Sequence, residues 1–196
     1  MQRLVDMNQK IEIAVSRGRT LSVPHMRLGA LLAIGLAVFL VGWLVLGGRD
    51  DGSAPANGAS SASESELRSF AASASTPVYW AGTREDQTYE LTRTADGRVY
   101  VRYLPEGVEV GDPRPQFLTI GTYPRPNAWA ELRRAAREPG AVSRRLPNDG
   151  MMVFSRSRPT SVYVGFAGGR YQIEVYAPSP GSARKLVESG QIVPVR

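Results

Sequence analysis

The stretch YELTRTADGRVYVRYL, residues 89–104, decides the fold. Two β-rich runs, Tyr89–Thr94 and Arg98–Leu104, flank Ala95-Asp96-Gly97. Asp-Gly between such runs marks a hairpin, because glycine takes the positive φ that the turn needs. In the second run Val99, Val101 and Tyr103 share one face, and Arg98, Tyr100 and Arg102 share the other. That period of two belongs to a strand.

Working outward, PVYWA (Pro77–Ala81) and FLTIGTY (Phe117–Tyr123) read as further strands, the second stopped by Pro124. Asn127 is placed to cap a helix through NAWAELRRAARE, with Trp129, Leu132 and Ala136 on one side and Gly140 at its end. Met151–Ser155 and Ser161–Phe166 predict strands, and Gly168-Gly169 turns the chain into Tyr171–Tyr176. Ser179 and Pro180 open a last helix closed by Gly190, and Gln191–Val195 fits an edge strand. The order reads as three strands and a helix, twice, with GRVYVRYLP (97–105) resembling GRYQIEVYAP (169–178). The expected fold is α+β: an antiparallel sheet with two or three helices packed on one face, spanning 76–196.

Upstream, residues 49–75 are dominated by Gly, Ser and Ala, with no large apolar side chain before Leu67. Arg49 to Ala62 predicts a flexible tether, since such a segment buries too little to offset its ordering entropy. Ser63 and Glu66 have capping-box spacing, which predicts a short helix over 64–74.

Residues 28–48, LGALLAIGLAVFLVGWLVLGG, carry no charge. At about 1.5 Å per residue they match the roughly 30 Å hydrocarbon core of a bilayer. This predicts a single transmembrane helix. Its apolar run is longer than that of a cleaved signal peptide, although Ala54-Pro55-Ala56 has the small residues a peptidase would take. Arg3, Lys10, Arg17, Arg19 and Arg27 precede the span, while its near flank on the other side holds Arg49 and Arg68, with Asp50 and Asp51 at the mouth. The positive-inside rule then puts arm 1–27 in the cytoplasm and the C-terminal domain outside the cell membrane. Gly29, Ala33 and Ala37 recur at four-residue spacing and form a candidate helix-packing face.

The chain of 196 residues has no cysteine and a single histidine, His25. Disulfide scaffolds, thiolate metal sites, cysteine nucleophiles and histidine clusters are thereby excluded within one chain. No cofactor or metal is expected. The formal net charge is +6, and all but Lys10 and Lys185 of the 24 basic residues are arginine. Arg133, Arg134, Arg137, Arg144, Arg145, Arg156 and Arg158 form a candidate patch for an anionic envelope polymer, lipid headgroups or an acidic envelope protein, since guanidinium binds carboxylate and phosphate through two parallel hydrogen bonds. The plainer reading is a solvated face. Nucleic acid is not expected for a domain outside the cell.

Glu85, Asp86, Glu90, Glu106, Glu109 and Asp112 are candidate loop carboxylates for a small hydrolase. Tyr79, Trp80, Tyr100, Tyr103 and Tyr123 are candidates for an aromatic groove, although strand aromatics more often pack in cores. Ser182-Ala183-Arg184-Lys185 has Ser-x-x-Lys spacing without a Lys-Thr-Gly partner, and helix capping explains it better than penicillin-type chemistry.

PVYWAG (77–82), YELTRT (89–94), DGRVYVRYLPEGVEVGD (96–112) and FLTIGTYPRPNAWAEL (117–132) resemble a set of uncharacterised single-pass membrane proteins of high-GC actinobacteria. The resemblance covers about 75–196 and the general layout, and it brings no functional residue with it. The expected function is a membrane-anchored protein whose extracytoplasmic domain binds or senses a partner without catalysis. The alternatives are a small envelope hydrolase and a structural accessory subunit acting through its transmembrane helix.

Overall fold

In the computed structural model, residues 58–196 are described. The expectations for the cytoplasmic arm, for the span with Gly29, Ala33 and Ala37, and for most of the tether lie outside the described residues. Among those residues no helix is long and apolar enough to cross a membrane.

Among the described residues, ten strands and three helices follow one another. They are β1 (Ser60–Ala62), α1 (Glu64–Ser73), β2 (Tyr79–Trp80), β3 (Gln87–Arg93), β4 (Val99–Pro105), β5 (Thr119–Pro124), α2 (Ala128–Ala135), β6 (Ala141–Leu146), β7 (Gly150–Ser155), β8 (Arg158–Phe166), β9 (Tyr171–Tyr176), α3 (Ser182–Glu188) and β10 (Val193–Pro194). Eight of the strands form one sheet in the order β1-β3-β4-β5-β9-β8-β7-β6, antiparallel throughout. β2 and β10 form a separate small ladder.

The decisive hairpin closes through a turn in which Gly97 N–H donates to Thr94 O and Thr94 N–H donates to Arg98 O, both at 3.0 Å. Gly97 has φ of 80°, the left-handed conformation that glycine adopts at no steric cost. A second hairpin joins β6 to β7. Its central residues Asn148 and Asp149 have φ of 56° and 54°, and Gly150 N–H returns to Pro147 O at 3.1 Å. Left-handed residues at both central positions match the right-handed twist of the flanking strands.

The meander β3-β4-β5 and the meander β7-β8-β9 meet antiparallel at β5 and β9, so the strand order is palindromic. The expected scheme of three strands and a helix, repeated, is not met in the chain order: four strands, β2 to β5 and β6 to β9, precede α2 and α3. Nor are the segments likened in sequence counterparts. β4 occupies the position of β8, and β9 occupies the position of β5.

The helices do not share one face, contrary to expectation. Leu67 of α1 and Ala183 and Val187 of α3 join Val101, Ile120, Val162 and Val175 in the main core. Leu132 of α2 instead lies against Gly165, within 3.1 Å of where a Cβ would project. Gly165 alternates with Val164 along β8, so α2 covers the opposite face.

The folded unit also begins earlier than 76. Ser60–Ala62, expected to be tether, pairs with Leu91, Glu90 and Tyr89 of β3. The capping box forms as its spacing predicts: Glu66 N–H donates to Ser63 Oγ and Ser63 N–H to Glu66 Oε2 at 2.7 Å. The other caps differ. Asn127 stands at the N-cap of α2 without a side-chain bond, and α3 starts after Gly181 with no side-chain cap, Ser179 contributing only its carbonyl, which accepts from Ser182 N–H at 3.1 Å. Residues 191–195 supply only the short β10, which pairs with β2 away from the main sheet.

Candidate functional site

Polar chemistry collects on the α2 face of the sheet, beginning with Glu90 on β3 and Arg102 on β4. These are cross-strand partners whose side chains meet at 2.7 Å, with Glu90 fully buried and Arg102 8% exposed. Glu90 Oε2 also accepts the Gly111 N–H at 2.7 Å, and Arg102 Nη2 donates to Asp112 O at 2.8 Å. The guanidinium lies 5.1 Å from the centre of the Phe117 ring. The pair thus pins the loop between β4 and β5 over its half of the sheet. A buried ion pair needs such extra hydrogen bonds to offset its desolvation.

Along the same face, Gly121 of β5 lies directly across from Glu174 of β9. Glu174 is 4% exposed, and its Oε2 accepts from the Tyr123 hydroxyl at 2.7 Å. Its Oε1 has no partner in hydrogen-bonding geometry. Burial pushes the carboxyl up to about 7, although the Tyr123, Ser161 and Tyr163 hydroxyls pull the other way. Burial, reinforced by the Glu174 charge, likewise holds the Tyr123 phenol well above its ordinary range. Tyr100 packs edge-on against Tyr123 at 5.7 Å between ring centres. Tyr176 donates its hydroxyl to Pro115 O at 2.5 Å, fastening the pinned loop at a second point.

This arrangement holds one protonatable carboxyl among phenols. No hydrogen bond or ion pair among the described residues joins a second carboxyl to it, and the hydroxyls on it are those of Tyr123, Ser161 and Tyr163. Among the described residues, no three His, Cys, Asp or Glu side chains gather as metal ligands.

The sequence-expected groups land elsewhere. Glu90 is committed to Arg102. Asp112 is held by Arg114 at 2.5 Å, which lowers its carboxyl to about 2. Glu85, Asp86, Glu106 and Glu109 are exposed. The aromatic groove does not form. Trp80 and Tyr103 are buried on the core face, linked edge-on through Tyr89 at 5.9 and 5.2 Å, whereas Tyr100 and Tyr123 lie on the opposite face. Ser182 opens α3 and Lys185 is exposed within it.

The seven arginines do not make one patch. Arg133 and Arg134 lie in the last turn of α2 with Arg137 just beyond, all exposed on that side. Arg144 meets Glu188 of α3 at 2.9 Å, which puts it on the core face, so its neighbour Arg145 points to the α2 face. Arg156 and Arg158 lie at the turn between β7 and β8. Sequence reasoning missed Glu174, Tyr163 and Ser161. The available signal was Glu174 itself, an acid inside the alternating run Tyr171, Ile173, Val175.

Comparison with protein-family models, with curated proteins and with solved structures finds no match to this chain.

Proposed function

We propose that the chain is a non-enzymatic, membrane-anchored protein, its N-terminus cytoplasmic and its α+β domain outside the cell, where that domain binds or senses a partner. The observation supporting this most directly is the disposition of the carboxylates. A hydrolase of the kind considered above requires two that converge, one with a raised pKa. Here Glu90 is locked to Arg102, Asp112 is clamped by Arg114 with its pKa lowered, and Glu174, the one carboxyl raised among the described residues, sits inside the sheet among hydroxyls. The uncharged run 28–48 with its basic N-terminal flank supports the anchor and its direction.

Crosslinking in native membranes tests the binding half of this reading. A specific crosslinked species carrying the C-terminal domain is the expected result, and a domain that captures no protein, polymer or lipid above control overturns it. Protease added to intact spheroplasts should digest the C-terminal domain; its protection would refute the orientation.

A further inference from the structure

β6 is the last strand of the main sheet, and no strand pairs with its outer side among the described residues. Arg156 N–H donates to Gly140 O at 2.9 Å, which makes those two a hydrogen-bonded pair just ahead of the strand. Such pairs alternate along an antiparallel ladder. Val142, Arg144 and Leu146 therefore bond to β7, while Ser143 and Arg145 turn their N–H and C=O groups outward. An open edge of this kind is a template for an added strand.

Charge decides what it admits. Residues 133–158 contain seven arginines against two acids, Glu138 and Asp149. Arg145 is exposed and has no ion-pair partner among the described residues, and Arg133, Arg134 and Arg137 are exposed on the same face of the sheet. A second copy docking antiparallel along this edge with its two-fold axis near Arg144 would bring the Arg144-Arg145 segments of both copies side by side, and like charges across a ladder repel. An extended acidic segment meets the opposite situation, with backbone pairing at Ser143 and Arg145 and carboxylates beside the guanidinium groups.

We infer that the β6 edge is a docking site for an extended, acidic polypeptide segment of a partner protein, which adds to the sheet as a further strand. This rests on the binding reading above and supplies the partner's chemistry.

The test uses the full chain in nanodiscs and three labelled peptides: one alternating Glu and Val, the same peptide N-methylated on the amides of one edge, and one alternating Lys and Val. The Glu peptide should bind, with affinity falling by roughly tenfold or more on N-methylation and on Ser143→Pro. Proline removes an outward N–H at a position where an edge strand tolerates it, and circular dichroism checks that the fold persists. Arg145→Glu, which leaves the backbone untouched, should weaken the Glu peptide and improve the Lys peptide. Equal binding of the N-methylated peptide would reduce the edge to a charge patch and overturn the inference. So would failure of the Glu peptide to bind, equal binding of the Glu and Lys peptides, or a dimer that Ser143→Pro dissolves. Native-membrane crosslinks that persist in Ser143→Pro sink the edge assignment and leave the binding reading standing; absence of any crosslink sinks the binding reading itself.

Discussion

Gly121 lies opposite Glu174 where the two meanders meet, and the bare backbone there makes room for the Tyr123 ring to reach that carboxylate. A Cβ on Gly121 would come within 2.9 Å of the Tyr123 hydroxyl and 3.0 Å of its ring. Glycine at this position is therefore required by a close approach, not by a turn.

Gly121→Ala should destabilise the domain by about 1–3 kcal/mol, the usual cost of overpacking a closed site. The ring is the obstacle, so the penalty should shrink in a Tyr123→Leu background. A double-mutant cycle by denaturant unfolding reads the coupling. Additive effects would show that the ring does not occupy this space.

Glu174 sets a pH dependence opposite in sign to the common acid-denaturation case. Burial raises its folded pKa to about 7 from an ordinary value of 4.5, so the folded state holds the proton more tightly than the unfolded chain. The stabilisation is full below about pH 4.5 and is lost as pH rises through about 7, amounting to about 3 kcal/mol at roughly 1.4 kcal/mol per pKa unit. Glu174→Gln should flatten stability between pH 5 and 8, as thermal melts across that range would show (roughly the span between unfolded and folded pKa values). Asp112 acts in the reverse direction. Its carboxyl is lowered to about 2 by Arg114, so its contribution is present above pH 3.8 and lost as pH falls through about 2.

The buried pair makes a third case. Arg102→Met leaves Glu90 fully buried without its cation, and breaking such a pair costs about 3–5 kcal/mol. Because Arg102 also holds Asp112 O, the loop 106–118 should become protease-sensitive. Glu90→Gln combined with Arg102→Met should recover part of the loss, since no charge is then stranded. Limited proteolysis followed by mass spectrometry locates the cleavage. A loop equally resistant in Arg102→Met would show that Tyr176 and Phe117 suffice to hold it.

These relationships show what was legible in the residues. Three local signals read true: the Asp-Gly hairpin, the Ser63 capping box and the alternation in Tyr171–Tyr176 form where the spacing puts them, whereas the side-chain caps expected of Asn127 and Ser179 do not. What depended on distant chain did not read. Ser60–Ala62 has a linker's composition and becomes a strand only because β3 offers an edge to pair with. β6, AVSRRL, has adjacent arginines and no apolar alternation, and the Asn148-Asp149 turn was its only local mark. Arg102 belongs to a face that the hairpin pattern would leave in water, and it is buried because the 106–118 loop closes over it. The side of the sheet that α2 covers follows from Gly165 admitting Leu132, a contact with no trace in either segment alone.

The domain's true beginning gives the last prediction. α1 is not an appendage. Leu67 is fully buried, Arg68 reaches the backbone oxygen of Arg196 and lies 5.6 Å from the Trp80 ring centre, and Glu64 accepts from Thr83 at 2.5 Å. A chain cut to 76–196 loses β1 and α1 together and takes Ala62 and Leu67 out of the core cluster. That fragment should melt well below one starting at 58 and should bind a hydrophobic dye. Leu67→Ala in the full chain isolates the packing contribution, at about 2–5 kcal/mol for an emptied core site. Equal melting temperatures for the two fragments would mean that α1 rests on a core already complete without it.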